Sequence, residues 1–138
     1  MSAGAFVVVG KMQHGELEEY KALIGELDLG PDGLQQCYDY LSDEEAICYV
    51  RAADLVVMPY REIYQSGVLF FAYNFGRPVL ATRVGSFPET IEDGRSGWLI
   101  EPEDIEGLSR ALIAALNTPE KLQAAGDRAR HLADTCYE

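Results

Sequence analysis

The sequence predicts an α/β protein with a parallel sheet, and three observations carry that prediction. Short apolar runs recur at Ala5-Phe6-Val7-Val8-Val9, Leu55-Val56-Val57-Met58 and Pro78-Val79-Leu80-Ala81-Thr82, the near-continuous hydrophobic pattern of strands covered on both faces. Between them, apolar residues return every three or four positions, which is the period of a helix. The two patterns alternate along the chain, and alternation favours parallel pairing because each parallel connection must cross back over the sheet.

Taken in order, Ala5 to Val9 is a compact strand closed by Gly10. Glu16 to Leu27 places Leu17, Tyr20, Leu23, Ile24 and Leu27 on one helix face, and Gly30-Pro31-Asp32-Gly33 ends the unit. Gln35 to Tyr40 is the second strand. Ser42 and Glu45 then have the spacing of a capping box at the start of a helix that carries Ile47, Cys48, Val50 and Ala53 on its apolar side. The strand from Leu55 follows, closed by Pro59. Gly67 to Phe75 is apolar nearly all round, which predicts a helix sandwiched in the interior. After the strand Pro78 to Thr82, Pro88 and Glu89 suit the first turn of a short helix. Asp93 to Gly97 is turn chemistry, and Trp98-Leu99-Ile100 is the last strand. Two helices remain: one with an apolar face of Ile105, Leu108, Leu112, Ala115 and Leu116, and one that starts at Thr118-Pro119-Glu120 and runs through Leu122, Ala125 and Ala129 toward Leu132.

Length and charge bound the possibilities. With 138 residues the chain is expected to form one domain, residues 1–138, with a proper core. Eleven Lys plus Arg against 23 Asp plus Glu give a formal charge of −12, which argues against nucleic acid or an anionic membrane as the main partner. Cys37, Cys48 and Cys136 are odd in number and fall in no metal-ligand spacing, so they read as reduced thiols of a cytoplasmic protein. No apolar run approaches the roughly 20 residues that a membrane-spanning helix requires.

The stretch from Tyr60 to Thr82 organises the rest. Its loop opens at the carboxyl end of a strand, Ser66 is a good N-cap, and Gly67 offers no side chain to obstruct the first amides of the next helix. Unpaired N–H groups and the positive end of the helix dipole make such a place suited to an anion, and open α/β sheets bind ligands outside strand carboxyl ends. The competing reading is an ordinary strand-to-helix crossover that binds nothing. Gly85, after the next strand, also lets backbone approach a ligand. Elsewhere the chemistry is sparse. His14 and His131 each have a carboxylate one turn away, Glu18 and Asp134, but no larger cluster, and Glu16-Glu18-Glu19 and Asp43-Glu44-Glu45 read as solvated helix starts. Gly10 lacks the further glycines of a dinucleotide fingerprint. No residue reads as catalytic or as a metal ligand.

Asp54-Leu55-Val56-Val57-Met58-Pro59-Tyr60-Arg61, Gln65-Ser66-Gly67-Val68, Phe75-Gly76-Arg77-Pro78-Val79-Leu80-Ala81-Thr82, Val84-Gly85, Pro88-Glu89, Glu92-Asp93-Gly94 and Gly97-Trp98-Leu99-Ile100 occur in this order. Together they resemble the C-terminal domain of GT-B glycosyltransferases of the group-one type, over nearly the whole chain. The resemblance implies a Rossmann-like sheet with helices on both faces. It also implies a UDP- or GDP-sugar donor, transferred to a carbohydrate or lipid-linked acceptor, with the donor diphosphate at Ser66, Gly67 and Val68. Donor-binding residues are thus expected at Glu62, Gln65, Ser66, Gly67, Val68 and Gly85, with no metal and no cofactor beyond the donor.

Two departures accompany the resemblance. The family's two glutamates, eight positions apart, fall here at Ile63 and Phe71, neither a carboxylate; Glu62 is the nearest substitute for the first. The family's first strand and helix, whose loop supplies a basic pair to the diphosphate, have no counterpart here, nor does the N-terminal acceptor domain. The resemblance then implies a portion not competent alone. In the family's strand order the missing strand is central, so either its neighbours close up or a second copy associates as a homodimer. The alternative is a non-catalytic Rossmann-like module that has lost donor binding and acts in association.

Overall fold

The structure is a computed structural model that describes residues 6–9, 34–37, 42–63 and 67–136, with side chains described from residue 42 through residue 135. It divides into two compact units, Met1–Glu45 and Ala46–Glu138. In the first, β1 (Phe6–Val9) pairs in parallel with β2 (Leu34–Cys37), in the register Phe6 with Leu34 through Val9 with Cys37. The expected strand at Gln35 thus begins one residue earlier. The helix expected over Glu16 to Leu27, and His14, lie outside the described residues.

In the second unit β3 (Val56–Met58), β4 (Val79–Thr82) and β5 (Gly97–Ile100) form a three-stranded parallel sheet in that order. Val56 pairs with Val79 and Val79 with Gly97, so β4 is central. All four residues of β4 are buried, as its unbroken apolar run requires, whereas Val56 and Val57 of β3 are only half-buried and Met58 is buried. Gly97 is demanded by this pairing: a Cβ there would sit 2.2 Å from the carbonyl oxygen of Val79.

Among the described residues the helices are α1 (Asp43–Ala52), α2 (Gly67–Asn74), α3 (Phe87–Thr90), α4 (Ile105–Leu116) and α5 (Pro119–Cys136). The capping box is present: Glu45 N donates to Ser42 Oγ at 3.2 Å, and Ser42 N donates back to Glu45 Oε1 at 3.3 Å. That exchange satisfies two donors at the start of α1 which the helix itself cannot pair. Asp104 does the same work for α4, its carboxylate accepting from Gly107 N at 2.9 Å. Pro88 and Glu89 fall in the first turn of α3 as expected.

The core lies where α2 and α5 pack with the sheet. Leu69, Ala72 and Tyr73 of α2, Phe87 of α3, and Ala129 and Leu132 of α5 are buried in it. Two small residues set the approach of the helices. Gly76, at φ 66°, adopts the left-handed conformation that ends α2, and its carbonyl lies so near Gly126 of α5 that a Cβ there would stand 2.3 Å away. Arg130 of α5 donates to the carbonyl of Asn74, fixing the same junction.

Two expectations are corrected by side-chain burial. The helix from Gly67 is not enclosed on all sides, because Phe70 is 45% and Phe75 36% exposed; Phe75 lies under the guanidinium of Arg51, 5.6 Å from its ring centroid. Ile105, expected on the apolar face of its helix, is 81% exposed. It stands at the exposed first turn of α4, while Ala115 near the other end is buried.

Candidate functional site

Because β3 and β4 are adjacent and parallel, the loops leaving them open at the same end of the sheet. The loop after β3 carries Glu62 and leads into α2; the one after β4 carries Gly85 and leads into α3. Parallel pairing therefore puts the loop that carries Glu62, the start of α2 at Gly67 and Val68, and the loop that carries Gly85 at one end of the sheet. Gln65 and Ser66 lie outside the described residues.

At the start of α2, Gly67 is exposed, and a Cβ built on it would meet nothing within 4 Å. Val68 turns inward, half-buried against the core. Charge distinguishes this helix from the others described. The first turns of α1, α3, α4 and α5 hold Asp43–Glu45, Glu89, Glu106 and Glu120, whereas the first turn of α2 holds no carboxylate. In a chain with a formal charge of −12, the positive end of the α2 dipole is left uncompensated by the helix's own side chains.

The loop after β3 sorts its side chains. Ile63 is half-buried and packs against the core; its neighbour Glu62 is exposed. Phe71 also packs against the core, so both positions where the resemblance places a glutamate are occupied by apolar groups that face inward. Gly85 has φ 55°, in the left-handed region where a side chain is strained, and it is exposed in the turn between β4 and α3.

Contacts that the sequence alone does not disclose hold these loops. Thr82, the last residue of β4 and 1% exposed, donates from Oγ1 to the carbonyl of Tyr60 at 2.6 Å. The ring of Tyr60 packs on that of Phe87, with centroids 6.2 Å apart. Arg61 Nε lies 3.4 Å from Glu103 Oε1, and Arg83 reaches both Asp93 and Glu101, at 3.0 and 3.2 Å. These ion pairs are exposed and screened, so they orient the loops without adding much stability. A shallow depression of about 350 Å³, including space open to solvent, lies at this end of the sheet between Pro59, Thr82, Ile100, Glu103, Ile105 and Leu108, and among the described residues none of those expected at the donor site lines it.

A second polar cluster links α2, the turn ahead of β5 and α5. The hydroxyls of Tyr73 and Ser96, both buried, lie 2.6 Å apart, and Glu92 N donates to Ser96 Oγ at 2.9 Å. Hydrogen bonding from Arg128 holds the Glu92 carboxyl below the ordinary range, against a smaller opposing effect of desolvation; the positive charges of Arg128, Arg95 and His131 act in the same direction as the hydrogen bond. His131 is exposed, and the nearby Asp134 pairs with Arg130. Among the described residues no group of His, Cys, Asp and Glu is arranged to hold a metal ion, and no helix is long and apolar enough to cross a membrane. Cys48 is an exposed free thiol.

A parallel sheet of this order, with a glycine-opened helix at its carboxyl end, is the architecture of a Rossmann-like ligand-binding domain. The sequence matches the family profile "Glycosyl transferases group 1" over residues 3–118, and the chain belongs to that family. It is 30% identical over 109 residues to the MMP alpha-(1->4)-mannosyltransferase of Mycolicibacterium hassiacum, covering 77% of this chain and 26% of that protein. It is 31% identical over 97 residues to the GDP-mannose-dependent alpha-(1-6)-phosphatidylinositol monomannoside mannosyltransferase of Mycolicibacterium smegmatis, covering 65% of this chain and 25% of that one. The chain thus spans about a quarter of the length of these curated relatives. Among solved structures, the C-terminal domain of the group 1 glycosyl transferase LpcC from Francisella tularensis superimposes with a TM-score of 0.83 at 22% identity, over 97% of this chain and 70% of that one. The Anabaena HepE structure in complex with UDP does so with a TM-score of 0.82 at 22% identity, over 97% of this chain and 37% of that one. The fold is that of the C-terminal domain of GT-B glycosyltransferases.

Proposed function

We propose that the chain, as one C-terminal domain over residues 1–138, is the nucleotide-sugar donor-binding portion of a glycosyltransferase. The observation that carries this reading is the start of α2, which is open at Gly67, free of carboxylates in its first turn, and placed at the carboxyl ends of adjacent parallel strands. There the diphosphate of a UDP- or GDP-sugar accepts hydrogen bonds from the amides of Ser66, Gly67 and Val68, Gln65 lies beside it, and the Gly85 turn lets backbone approach from β4. Glu62, the exposed carboxylate of the same loop, contacts the sugar hydroxyls. The UDP bound to HepE and the GDP-mannose dependence named for the M. smegmatis relative support a nucleotide-sugar, and the phosphatidylinositol mannoside in the latter's name supports a carbohydrate or lipid-linked acceptor.

Acceptor binding belongs to a part of the enzyme outside these 138 residues, so the chain alone binds donor without transferring its sugar. Its place is the cytoplasm, where an exposed thiol such as Cys48 stays reduced. A second copy of the chain is a partner to test by light scattering, with a mass twice that of the monomer as the positive result.

Calorimetric titration with UDP, GDP and their glucose and mannose conjugates tests the central claim. Saturable binding that is weakened by Gly67→Ala supports it. No heat with any of these ligands favours a second reading, a non-catalytic module that has lost donor binding and acts in association. The inward packing of Phe71, where a ribose-binding carboxylate would otherwise stand, is the observation on its side.

A further inference from the structure

The two loops of the proposed donor site leave different strands, yet one residue touches the supports of both. Tyr60 opens the loop that runs into α2. Its carbonyl accepts a 2.6 Å hydrogen bond from Thr82, which ends β4, and its ring packs at 6.2 Å on Phe87, which opens α3 directly after the Gly85 turn. Thr82 and Phe87 are 1% and 0% exposed, so both partners of Tyr60 are set in the core and do not follow solvent. Backbone and side chain of one residue are therefore fixed to the far strand and to the far helix, 22 and 27 positions along the chain.

We propose that Thr82, through Tyr60, is a positioning residue for nucleotide binding: it sets the distance between the start of α2 and the Gly85 turn so that both meet one diphosphate-sugar. This rests on the donor-site reading above. The physical reason is preorganisation. Amides at a helix start bind an anion well only if the loop ahead of them is already in place, since ordering it on binding subtracts from affinity. Thr82 touches no ligand in this scheme. Its hydroxyl ties the Tyr60 carbonyl to the end of β4, and a valine of the same shape removes that tie and loosens the loop.

The experiment is calorimetric titration of UDP and GDP into the wild-type protein and four variants, with melting temperatures measured alongside. Thr82→Val is expected to weaken nucleotide binding about three- to tenfold, the worth of one hydrogen bond. Thr82→Ser, which keeps the hydroxyl, is expected to restore wild-type affinity. Phe87→Leu, which leaves the hydrogen bond intact but removes the ring, is expected to weaken binding in the same direction, and it keeps the test alive if Thr82→Val does not fold. Glu92→Gln breaks the ion pair with Arg128 and is expected to lower the melting temperature with no loss of affinity. Wild-type affinity in both Thr82→Val and Phe87→Leu overturns the proposal. So does a Thr82→Ser variant as weak as the valine, or a loss in Glu92→Gln equal to that in Thr82→Val, since affinity would then follow overall stability. Absence of nucleotide binding by the wild-type protein is the separate result that overturns the donor-site reading and the coupling with it.

Discussion

Arg128 of α5 grips Glu92 through both carboxylate oxygens, donating from Nε to Oε1 at 2.6 Å and from Nη2 to Oε2 at 3.1 Å, and so ties the turn ahead of β5 to the last described helix. The fork of the guanidinium matches the carboxylate, which makes this the best-formed ion pair described. It also predicts a pH dependence. The hydrogen bond from Arg128 lowers the folded-state pKa of Glu92 below its ordinary value of 4.5, so the folded protein binds that proton less tightly than the unfolded chain does. The contribution is therefore complete above pH 4.5 and is lost as pH falls through the lower folded value. The melting temperature of wild type should exceed that of Glu92→Gln at pH 7, and the gap should close as pH falls through the lowered folded value. Partial exposure of both side chains keeps the gap small. A gap of constant size down to pH 3 would show that the two side chains contribute by packing and not by charge.

Gly97 and Gly67 predict opposite outcomes for the same substitution. At Gly97 an added methyl would strike the Val79 carbonyl across the β4–β5 pairing, so one of the two backbones must shift. Gly97→Ala should lose about 1–3 kcal/mol of stability or more in urea denaturation. At Gly67 the methyl meets open space, and alanine is the better helix residue by roughly 0.5–1 kcal/mol. Gly67→Ala should keep or raise stability while weakening UDP or GDP binding, because the methyl takes up open space at the helix start that the diphosphate is proposed to enter. Unchanged affinity in a stable Gly67→Ala protein would move the anion site away from α2.

Tyr73→Phe removes the hydroxyl that faces Ser96 at 2.6 Å in a buried setting. Ser96 keeps the amide of Glu92 but loses its other partner, so the expected cost is about 1–3 kcal/mol with the fold retained. Chemical denaturation of the pair Tyr73→Phe and Ser96→Ala, singly and together, checks it: non-additive losses show that the two hydroxyls act on each other.

Glu62→Gln separates sugar recognition from phosphate recognition. Since Ile63 faces the core and Glu62 faces solvent, Glu62 is the side chain free to reach a donor sugar. The substitution should weaken binding of a sugar nucleotide more than binding of the free nucleotide, in paired titrations. Equal weakening of both would assign Glu62 to holding the loop.

Much of this architecture was decided by local pattern. The three strands of the second unit and their helices are legible because period two, period three to four and unbroken apolar runs are properties of neighbouring residues, and so is the Ser42–Glu45 capping box, whose partners lie three positions apart. The helix that begins at Gly67 after a strand was legible for the same reason, because glycine, helix and strand are adjacent in sequence. What the pattern left open is direction. Nearly every residue from Val68 to Phe75 is apolar, so periodicity does not tell which of Phe70 and Phe71 faces the core; tertiary packing leaves Phe71 half-buried against the core and Phe70 exposed. The links from Thr82 to Tyr60 and from Arg128 to Glu92 join residues 22 and 36 positions apart. Only parallel pairing of β3, β4 and β5 places their ends side by side, because the register of those strands, set by burial of β4 on both faces, determines which loop meets which.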